Sequence, residues 1–376
     1  MHPLYIGLMS GTSLDGVDGT LVDFTPRGRT RLQVLAHAHR AFDPAFAKEL
    51  LALNGTGKDE LHRAALAGNT LARVYAQVVD ELLRKAELPP TRVRAVGAHG
   101  QTVRHRPHEF DATGYTIQLN NPALLAELSG IDVVADFRSR DVAAGGHGAP
   151  LVPAFHRAVF GRAEETLAVL NVGGIANITA LRADGTTLGY DCGPGNALMD
   201  HWCRRHLQRA FDDRGTWAAS GAVIERLLKL LQAEPFFALT PPKSTGRDLF
   251  NSSWLDMHLH SMPSVAAMRP EDVQATLAEL TAWACCDAIV NSAPWVRSVL
   301  VCGGGALNSY LMDRLAARLA GVAVMATDAV GLAAMQVEAS AFAWLAKAFV
   351  DRKPGNLTAV TGAAGPRVLG ALYPAG

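Results

Sequence analysis

The feature that most constrains the fold is a strand–turn–strand pattern, with glycine in the turn, that occurs once in each half of the chain. In the first half, apolar residues Leu4 to Met9 precede a small, acidic turn, and Val17 to Phe24 resume an extended pattern. In the second half, Leu167 to Val172 precede Gly173-Gly174, and Ile178 to Leu181 follow. The repetition predicts two α/β halves of related design that meet across a cleft.

Length and composition agree with two packed domains. The chain has 376 residues, of which 49% are hydrophobic, which is too long for one ordinary core and sufficient for two. Lys+Arg and Asp+Glu both number 35, and this balance argues against nucleic acid or an anionic membrane as the main partner. The amino terminus lacks a signal-peptide pattern, and no apolar run is long enough to span a bilayer. We therefore expect a cytoplasmic protein.

The cysteines support the same compartment. They are odd in number, show no CxxC spacing and lie in apolar or helical stretches: Cys192, Cys203, Cys285, Cys286 and Cys302. Reduced, buried thiols are the simplest interpretation, and the spacing argues against zinc.

The first glycine-rich turn suits phosphate binding. It lies between two strands, so it is a hairpin and not a P-loop, and it lacks the P-loop lysine. Small residues let backbone N–H groups approach phosphate oxygens, Thr12 and Ser13 add hydroxyl donors, and Asp15 and Asp18 are candidate ligands for Mg²⁺. A purely structural hairpin is the alternative.

Two further glycine turns lie in the second half. The hairpin around Gly173, Gly174 and Asn177 echoes the first one, and a pair of such turns can hold a triphosphate. The apolar strand Ser298 to Val301 leads into Gly303, Gly304 and Gly305, a geometry suited to close approach by a nucleotide. Tight packing without a ligand is the alternative for both turns.

Asp191 is the candidate general base. It follows a strand-like segment and precedes Gly193-Pro194-Gly195, which predicts a carboxylate at the edge of a loop. Such a carboxylate can take a proton from a hydroxyl or from water. Taken alone, a cap for the following helix (Ala197 to Gln208) is the more common role for an aspartate in this context.

Polar residues suited to binding a sugar cluster in the first half and just past it. They are His99, Gln101, Thr102, Gln118, Asn120, Asp136, Arg138, Asp141 and His147. Each has an ordinary surface or capping role as its alternative, and only together do they indicate a pocket. The basic loop Lys243 to Arg247 is either a solvated turn or a contact to nucleotide or substrate.

In this order, the motifs resemble the sugar kinase/Hsp70/actin superfamily and, more closely, the family of anhydro-N-acetylmuramic acid kinases. The resemblance runs essentially end to end through MSGTSLDGVD, AHGQTVRH, LNVGGIANIT, DCGPGNALMD, PKSTGRDLFN, VCGGGALN and VTGAAGPRVLGALYP. One departure is Asn120-Asn121-Pro122, where Gly-Asn-Pro is more usual. The resemblance implies a two-domain actin-like ATPase fold with a central cleft. Its lobes are expected at residues 1–137 with about 350–376, and at 138–349.

The resemblance also implies roles for residues. The ATP-binding segment falls on Gly11, Thr12, Ser13, Leu14, Asp15, Gly16, Val17 and Asp18. The catalytic aspartate falls on Asp191, and Glu338 in a late helix joins the sugar-binding set of His99, Gln101, Gln118, Asn120, Asp136 and Arg138. The cofactors implied are ATP and Mg²⁺, the substrate is an anhydro amino sugar, and a homodimer is possible.

The implied reaction combines ring opening with phosphoryl transfer to O6 of 1,6-anhydro-N-acetylmuramic acid, in cell-wall recycling. Two alternatives stay open at this point. One is a conventional hexose or amino-sugar kinase, in which Asp191 activates a hydroxyl. The other is an actin- or Hsp70-like nucleotide switch, against which the lack of an added client-handling region argues.

Overall fold

The computed structural model describes residues 2–11, 13–25, 31–246, 248–262 and 268–376. The chain divides into two compact units. Unit 1 comprises Met1–Val159 and Gln336–Gly376, and unit 2 comprises Phe160–Met335.

Strands account for the framework of both units. In chain order, those of the described residues are β1 (Leu4–Met9), β2 (Gly16–Asp23), β3 (Gln33–Ala41), β4 (Val93–Ala98), β5 (Gln101–Pro107), β6 (Gly114–Leu119), β7 (Val133–Ala135), β8 (Leu167–Val172), β9 (Ile175–Leu181), β10 (Thr187–Pro194), β11 (Ser298–Cys302), β12 (Ala323–Ala326) and β13 (Ala371–Tyr373).

Helices connect and cover these strands. The α-helices of the described residues are α1 (Pro44–Ala52), α2 (Glu60–Ala86), α3 (Pro122–Ser129), α4 (Ser139–Ala143), α5 (Val152–Phe160), α6 (Ala197–Leu207), α7 (Thr216–Ala219), α8 (Glu225–Gln232), α9 (Pro235–Ala238), α10 (Ser252–His260), α11 (Pro270–Ser292), α12 (Ser309–Arg318), α13 (Val337–Val350) and α14 (Thr358–Thr361).

The two main sheets share one plan. In unit 1 the order is β13-β7-β4-β1-β2-β3, and in unit 2 it is β10-β9-β8-β11-β12. Each sheet starts with three antiparallel strands joined by hairpins, followed by two strands added in parallel through helical crossovers. Unit 1 adds β13 antiparallel to β7. This duplicated order is that of actin-like ATPases, so the predicted fold class is confirmed.

Helix α2 shows how the predicted periodicity becomes a core. The sequence predicts a helix over Glu60 to Lys85, and the structure gives Glu60–Ala86. Its buried residues include Leu71, Tyr75, Val78 and Leu82, all fully buried and spaced by three or four positions. They pack in the hydrophobic cluster that also contains the apolar side chains of β1, β2 and β4.

The unit boundaries differ from the predicted ones, because α13 belongs to unit 1. This helix lies directly on the backbone of β1 and β4. A Cβ on Gly7 would lie 1.8 Å from the carbonyl oxygen of Ala339, and one on Gly97 would lie 2.0 Å from that of Phe342. Only glycine permits so close an approach. The second boundary therefore precedes α13, at 335/336 and not 349/350, and the first follows 159 and not 137.

Helix α11 is the one described helix that is long and apolar enough to cross a membrane. Its most apolar window is 83% buried inside the protein, as expected for the core helix of a folded domain. Helix α11 is followed by strand β11, as the sequence predicts.

Candidate active site

The glycine-rich loop of unit 1 begins in a closed ring of hydrogen bonds. The Ser10 hydroxyl donates to the Gly100 carbonyl (3.1 Å), and the Gly100 N–H donates to the Tyr75 hydroxyl (3.0 Å). The Tyr75 and Ser10 oxygens are 3.2 Å apart. Because the Ser10 proton is already used, Tyr75 is the donor of this third bond. Burial raises the pKa of Tyr75, so its phenol is neutral at physiological pH.

The remainder of the loop is more accessible. Ser13 and Asp15 are exposed, and the Ser13 hydroxyl donates to the Asp15 carboxylate at 2.6 Å. Leu14 has a φ of 58°, an uncommon conformation for a residue with a branched side chain. Gly11 accepts the N–H of Leu14, while Thr12 lies outside the described residues.

The last three residues of the predicted ATP segment lie within β2. Gly16 and Val17 are buried there, so they support the loop from the sheet. The Asp18 carboxylate lies 3.2 Å from both His37 Nε2 and His39 Nδ1 on the neighbouring strand. Of the two predicted magnesium ligands, Asp15 is thus the more available and Asp18 is engaged by imidazoles.

Three predicted sugar-binding residues interact in unit 1. The Arg138 guanidinium donates to His99 Nε2 through Nε (3.1 Å) and Nη2 (2.9 Å), and to the Gly148 carbonyl through Nη1 (2.8 Å). Burial lowers the pKa of Arg138 to about 10, opposed by the carboxylates of Glu338 and Asp141. Burial and the Arg138 charge hold the pKa of His99 well below its usual range. A neutral His99 that accepts through Nε2 therefore carries its proton on Nδ1.

Several buried polar atoms in this region have no hydrogen-bond partner among the described residues. They are Gln101 Oε1 and both side-chain amide atoms of Asn120. Asn120 adjoins the 99–101 segment, since a Cβ on Gly100 would lie 3.4 Å from its Cβ. Gln101 also donates to the Gly11 carbonyl at 3.1 Å, which joins this set to the glycine-rich loop of unit 1. Buried polar atoms are almost always paired, so these are the atoms expected to meet a ligand.

The other two predicted sugar-binding residues are placed differently. Gln118 on β6 donates to the hydroxyls of Thr102 (3.2 Å) and Thr116 (2.8 Å), so its amide nitrogen is satisfied within the β5–β6 hairpin. Asp136 is exposed and accepts the N–H of Ser139 at the start of α4. No contact described for Asp136 brings it to the unpaired atoms.

In unit 2, the candidate base lies in a row of polar residues across three strands. Asp191 on β10 pairs with Asn177 on β9, and Asn177 pairs with Asn171 on β8. Directly paired residues of antiparallel strands place their side chains on the same face of a sheet. The Asn171 Oδ1 atom is buried and has no partner among the described residues.

The Asp191 carboxylate is held through one of its two oxygens. Its Oδ2 accepts from the Ser244 hydroxyl (2.9 Å) and the Thr245 N–H (3.0 Å), and the Asp191 N–H donates to the Lys243 carbonyl (3.2 Å). No hydrogen bond to Oδ1 occurs within the described part of the chain. Burial raises the pKa of Asp191, and the Thr245 and Ser244 hydrogen bonds oppose that rise.

The capping role considered for Asp191 is wrong. The residue lies inside β10, at a bulge between Asp191 and Gly193, and not at a helix terminus. Helix α6 begins after Asn196, whose side chain makes no capping bond and instead donates to the Val172 carbonyl at 2.9 Å. A bulge redirects a side chain out of the regular ladder and is common next to active sites.

The glycine turns of unit 2 lie at the ends of the strands that carry this row. The hairpin turn Gly173-Gly174 accepts the N–H groups of Gly195, Asn196 and Ala197, which fixes the bulged end of β10 against it. Gly303 has a φ of 75°, and a Cβ there would lie 2.5 Å from Asn171 Oδ1. The turn after β11 therefore requires glycine at 303 and closes on the same polar row.

Sequence reasoning missed the residues that position these groups. Tyr75 was indicated only as part of a helix face, and the loop Lys243 to Arg247 had no assigned partner, with Arg247 outside the described residues. Asn171 lies within a quoted motif, but only the strand register places it beside Asn177. The contacts of Tyr75 and of the Lys243–Thr245 segment are long-range, so no local pattern could reveal them. The Asn171–Asn177 pair lies within one hairpin and depends on its exact register.

Comparison with known families gives one consistent result. The family model described as anhydro-N-acetylmuramic acid kinase matches residues 3–375. Among curated relatives, the anhydro-N-acetylmuramic acid kinase of Variovorax paradoxus is 59% identical, covering 99% of both chains. The protein of the same name from Bordetella petrii is 60% identical over 99% of this chain and 96% of its own.

Solved structures give more distant matches. An activator of 2-hydroxyisocaproyl-CoA dehydratase from Clostridium difficile, with bound ADPNP, has a TM-score of 0.46 and 12% identity, covering 90% of this chain and 92% of its own. A ROK family glucokinase from Streptomyces griseus, in complex with glucose and AMPPNP, has a TM-score of 0.41 and 13% identity, covering 91% and 98%.

Proposed function

Because the chain belongs to the anhydro-N-acetylmuramic acid kinase family, we propose roles for its residues in that reaction. The enzyme uses ATP to open 1,6-anhydro-N-acetylmuramic acid hydrolytically and to phosphorylate O6. The products are N-acetylmuramic acid 6-phosphate and ADP, and the reaction belongs to peptidoglycan recycling.

The observation that carries the proposal is the state of the Asp191 carboxylate. One oxygen accepts two hydrogen bonds and is thereby fixed, while the other is left with none among the described residues. A general base needs this combination of a fixed orientation and a free lone pair. Burial that raises its pKa also makes the carboxylate a stronger base.

The proposed steps balance in atoms and charge. Asp191 Oδ1 takes a proton from water as the water oxygen forms a bond to C1 of the sugar. The C1–O6 bond breaks, and O6 forms a bond to the γ-phosphorus as the bond to the β-phosphate oxygen breaks. ADP leaves, and Asp191 returns the proton to solvent. The sugar centre inverts, because water attacks opposite the departing O6.

We assign sugar recognition to unit 1. Gln101 Oε1 offers an acceptor and the Asn120 side-chain amide offers one donor and one acceptor, and these atoms are buried without partners among the described residues. Hydroxyl and acetamido groups of an amino sugar provide the complementary set. Arg138, with Glu338 near it, keeps His99 neutral and so fixes which of its nitrogens donates.

We assign the ATP phosphates to the accessible part of the unit 1 loop and to the glycine turns at 173–174 and 303–305 of unit 2. Mg²⁺ usually binds through one or two carboxylates together with substrate phosphates, and the exposed Asp15 fits that role. Asp18, engaged by two histidines, fits it less well. When bound with ATP, the ion balances charge on the transferred phosphoryl group.

The compartment and the assembly stay proposals. All five cysteines are buried and none forms a disulfide within the described residues, which fits a reducing compartment such as the cytoplasm. The homodimer predicted from the resemblance is tested by light scattering of the purified protein, for which a mass of one chain would contradict it.

Asp191→Asn tests the base directly. Asn keeps an oxygen that can accept from Ser244 and Thr245 but cannot take a proton at neutral pH. We expect kcat to fall by roughly 10²–10⁴-fold, as for loss of a general base. Calorimetry should show ATP and sugar binding near wild type. A variant with near-normal kcat would remove Asp191 from the mechanism.

A further inference from the structure

The segment Lys243–Thr245 lies along the candidate base and contacts it three times. The Lys243 carbonyl accepts the Asp191 N–H, and Ser244 Oγ and Thr245 N both donate to Oδ2. The backbone and the carboxylate of Asp191 are thus both hydrogen-bonded by three consecutive residues that lie more than fifty positions later in the sequence. The basic loop of the sequence is therefore neither a free surface turn nor a simple connection.

The side chain of Lys243 attaches this segment to the body of unit 2. Its ammonium donates to the carbonyls of Phe236 (3.3 Å) and Phe237 (3.1 Å) in α9. It also lies over two rings, 4.8 Å from the centroid of Phe236 and 6.0 Å from that of Tyr190. Carbonyl and aromatic contacts of this kind hold a cation in one place. Burial lowers the pKa of Lys243.

Resting on the assignment of Asp191 as the general base, we propose that Lys243 is a positioning residue. Its anchored ammonium docks the Lys243–Thr245 segment, and the segment holds Oδ2 of Asp191 so that Oδ1 faces the reacting water. Lys243 touches neither water nor sugar in this role and acts through Ser244 and Thr245.

Several titratable groups lie on the elements that surround the candidate base. Those on β10, on α11 and on the segment itself are Tyr190, Cys192, Cys285, Asp287 and Lys243. Burial raises the pKa of both Tyr190 and Cys192, so both stay neutral while Asp191 titrates. The pKa shift of Asp191 has burial and the Thr245 and Ser244 hydrogen bonds as its causes, so a shift of the acid limb on removal of Ser244 reports on Asp191.

The first variant is Ser244→Ala, which removes one donor from an exposed position. The lost hydrogen bond stabilised the charged carboxylate, so the pKa of Asp191 rises and the acid limb of kcat/KM moves to higher pH. We expect a shift of about 0.5–1 pH unit, with kcat recovering on the plateau. Ser220→Ala is the matched control, because Ser220 is an exposed serine of unit 2 whose hydroxyl bonds the Trp217 carbonyl. Its profile should coincide with wild type.

The second variant is Lys243→Met, which keeps the length of the side chain and removes the ammonium. We expect the acid limb to shift at least as far as in Ser244→Ala, with a plateau kcat about tenfold lower from misalignment. KM for ATP should change less than twofold. Lys243→Gln, which keeps an N–H donor, should lie between wild type and Lys243→Met and provides a second variant if the latter folds poorly. Lys229→Met, at an exposed lysine of α8, is the control.

The double variant Lys243→Met/Ser244→Ala decides whether Lys243 acts through the segment. The shifts of the acid limb should be less than additive, because both changes weaken the same hydrogen bonding to Oδ2 of Asp191. Fully additive shifts, or single variants whose acid limbs coincide with wild type, would overturn the positioning role. If Asp191→Asn is inactive in that case, only this inference fails. If Asp191→Asn is active, the proposed base fails with it.

Discussion

Tyr75→Phe tests the closed ring of hydrogen bonds among Ser10, Tyr75 and Gly100 at the start of the glycine-rich loop of unit 1. The substitution removes one oxygen from a fully buried side chain and leaves the ring packing of Tyr75 in place. Two bonds are lost, one accepted from the Gly100 N–H at 3.0 Å and one donated to Ser10 Oγ across 3.2 Å. The Gly100 N–H is left buried and unpaired, which costs about 1–3 kcal/mol, and the second bond adds about 1 kcal/mol. We expect unit 1 to be destabilised by about 2–4 kcal/mol.

Hydrogen exchange and urea unfolding measure this effect. The Gly100 amide should exchange faster in Tyr75→Phe, and the unfolding transition of unit 1 should move to lower urea. Tyr115→Phe, at a partly exposed tyrosine of the β5–β6 hairpin, should stay within about 0.5 kcal/mol of wild type. KM for ATP and for sugar should both rise, because Ser10 begins the phosphate loop and Gly100 lies between His99 and Gln101. An unfolding transition unchanged in Tyr75→Phe would refute the ring as a source of stability.

Three further predictions follow from the two units. Asp191→Asn should raise the melting temperature at pH 7, measured by calorimetry. The pKa of Asp191 is raised in the folded state, so its contribution to stability is present at low pH and is lost as pH rises through that pKa. A lower melting temperature at pH 7, or a gain that persists at pH 3, would contradict this sign. Asp15→Asn should increase the Mg²⁺ concentration for half-maximal rate, with a smaller effect in Asp18→Asn; equal effects would return Asp18 to the metal site. Asn120→Ala should raise KM for sugar by about 10-fold or more through lost buried hydrogen bonds while KM for ATP is unchanged, and a sugar KM equal to wild type would remove Asn120 from the pocket.

Local sequence patterns were sufficient to predict the main strands and helices. The hairpins at β1–β2 and β8–β9 were predicted from apolar runs flanking glycine, and α2 from three- and four-residue spacing. These signals are local, because strand and helix periodicities are written into neighbouring residues. The sequence pattern also predicts a helix over Gly221 to Leu231, whereas α8 begins at Glu225, because no side chain caps its first turn.

The position of α13 was not predictable in this way. Its sequence indicates a helix, but its unit is decided by contact with Gly7 and Gly97, more than two hundred residues earlier in the chain. A glycine within a strand pattern shows that something approaches closely, not which element does so. The unit boundaries were therefore misplaced.

The active site divides along the same line. Asp191, Asn177 and the glycine turns are candidates that motifs predict, whereas the partners that orient them depend on tertiary structure. Ser244 and Thr245 lie more than fifty residues after Asp191, to whose carboxylate they donate. The ring of hydrogen bonds at Gly100 joins three separate segments of the chain. The sequence indicated the reaction. Only the structure shows that Oδ2 of Asp191 accepts two hydrogen bonds and that Oδ1 accepts none among the described residues.

The central claim is that water, activated by Asp191, attacks C1 while O6 receives the phosphoryl group. The most direct test is a single incubation of enzyme, ATP and 1,6-anhydro-N-acetylmuramic acid in ¹⁸O-enriched water, quenched early and analysed by mass spectrometry. Preformed product kept in the same water corrects for exchange at C1. We expect N-acetylmuramic acid 6-phosphate with label at C1 and none in the phosphate. Product without label at C1, or label in the phosphate, would contradict this claim.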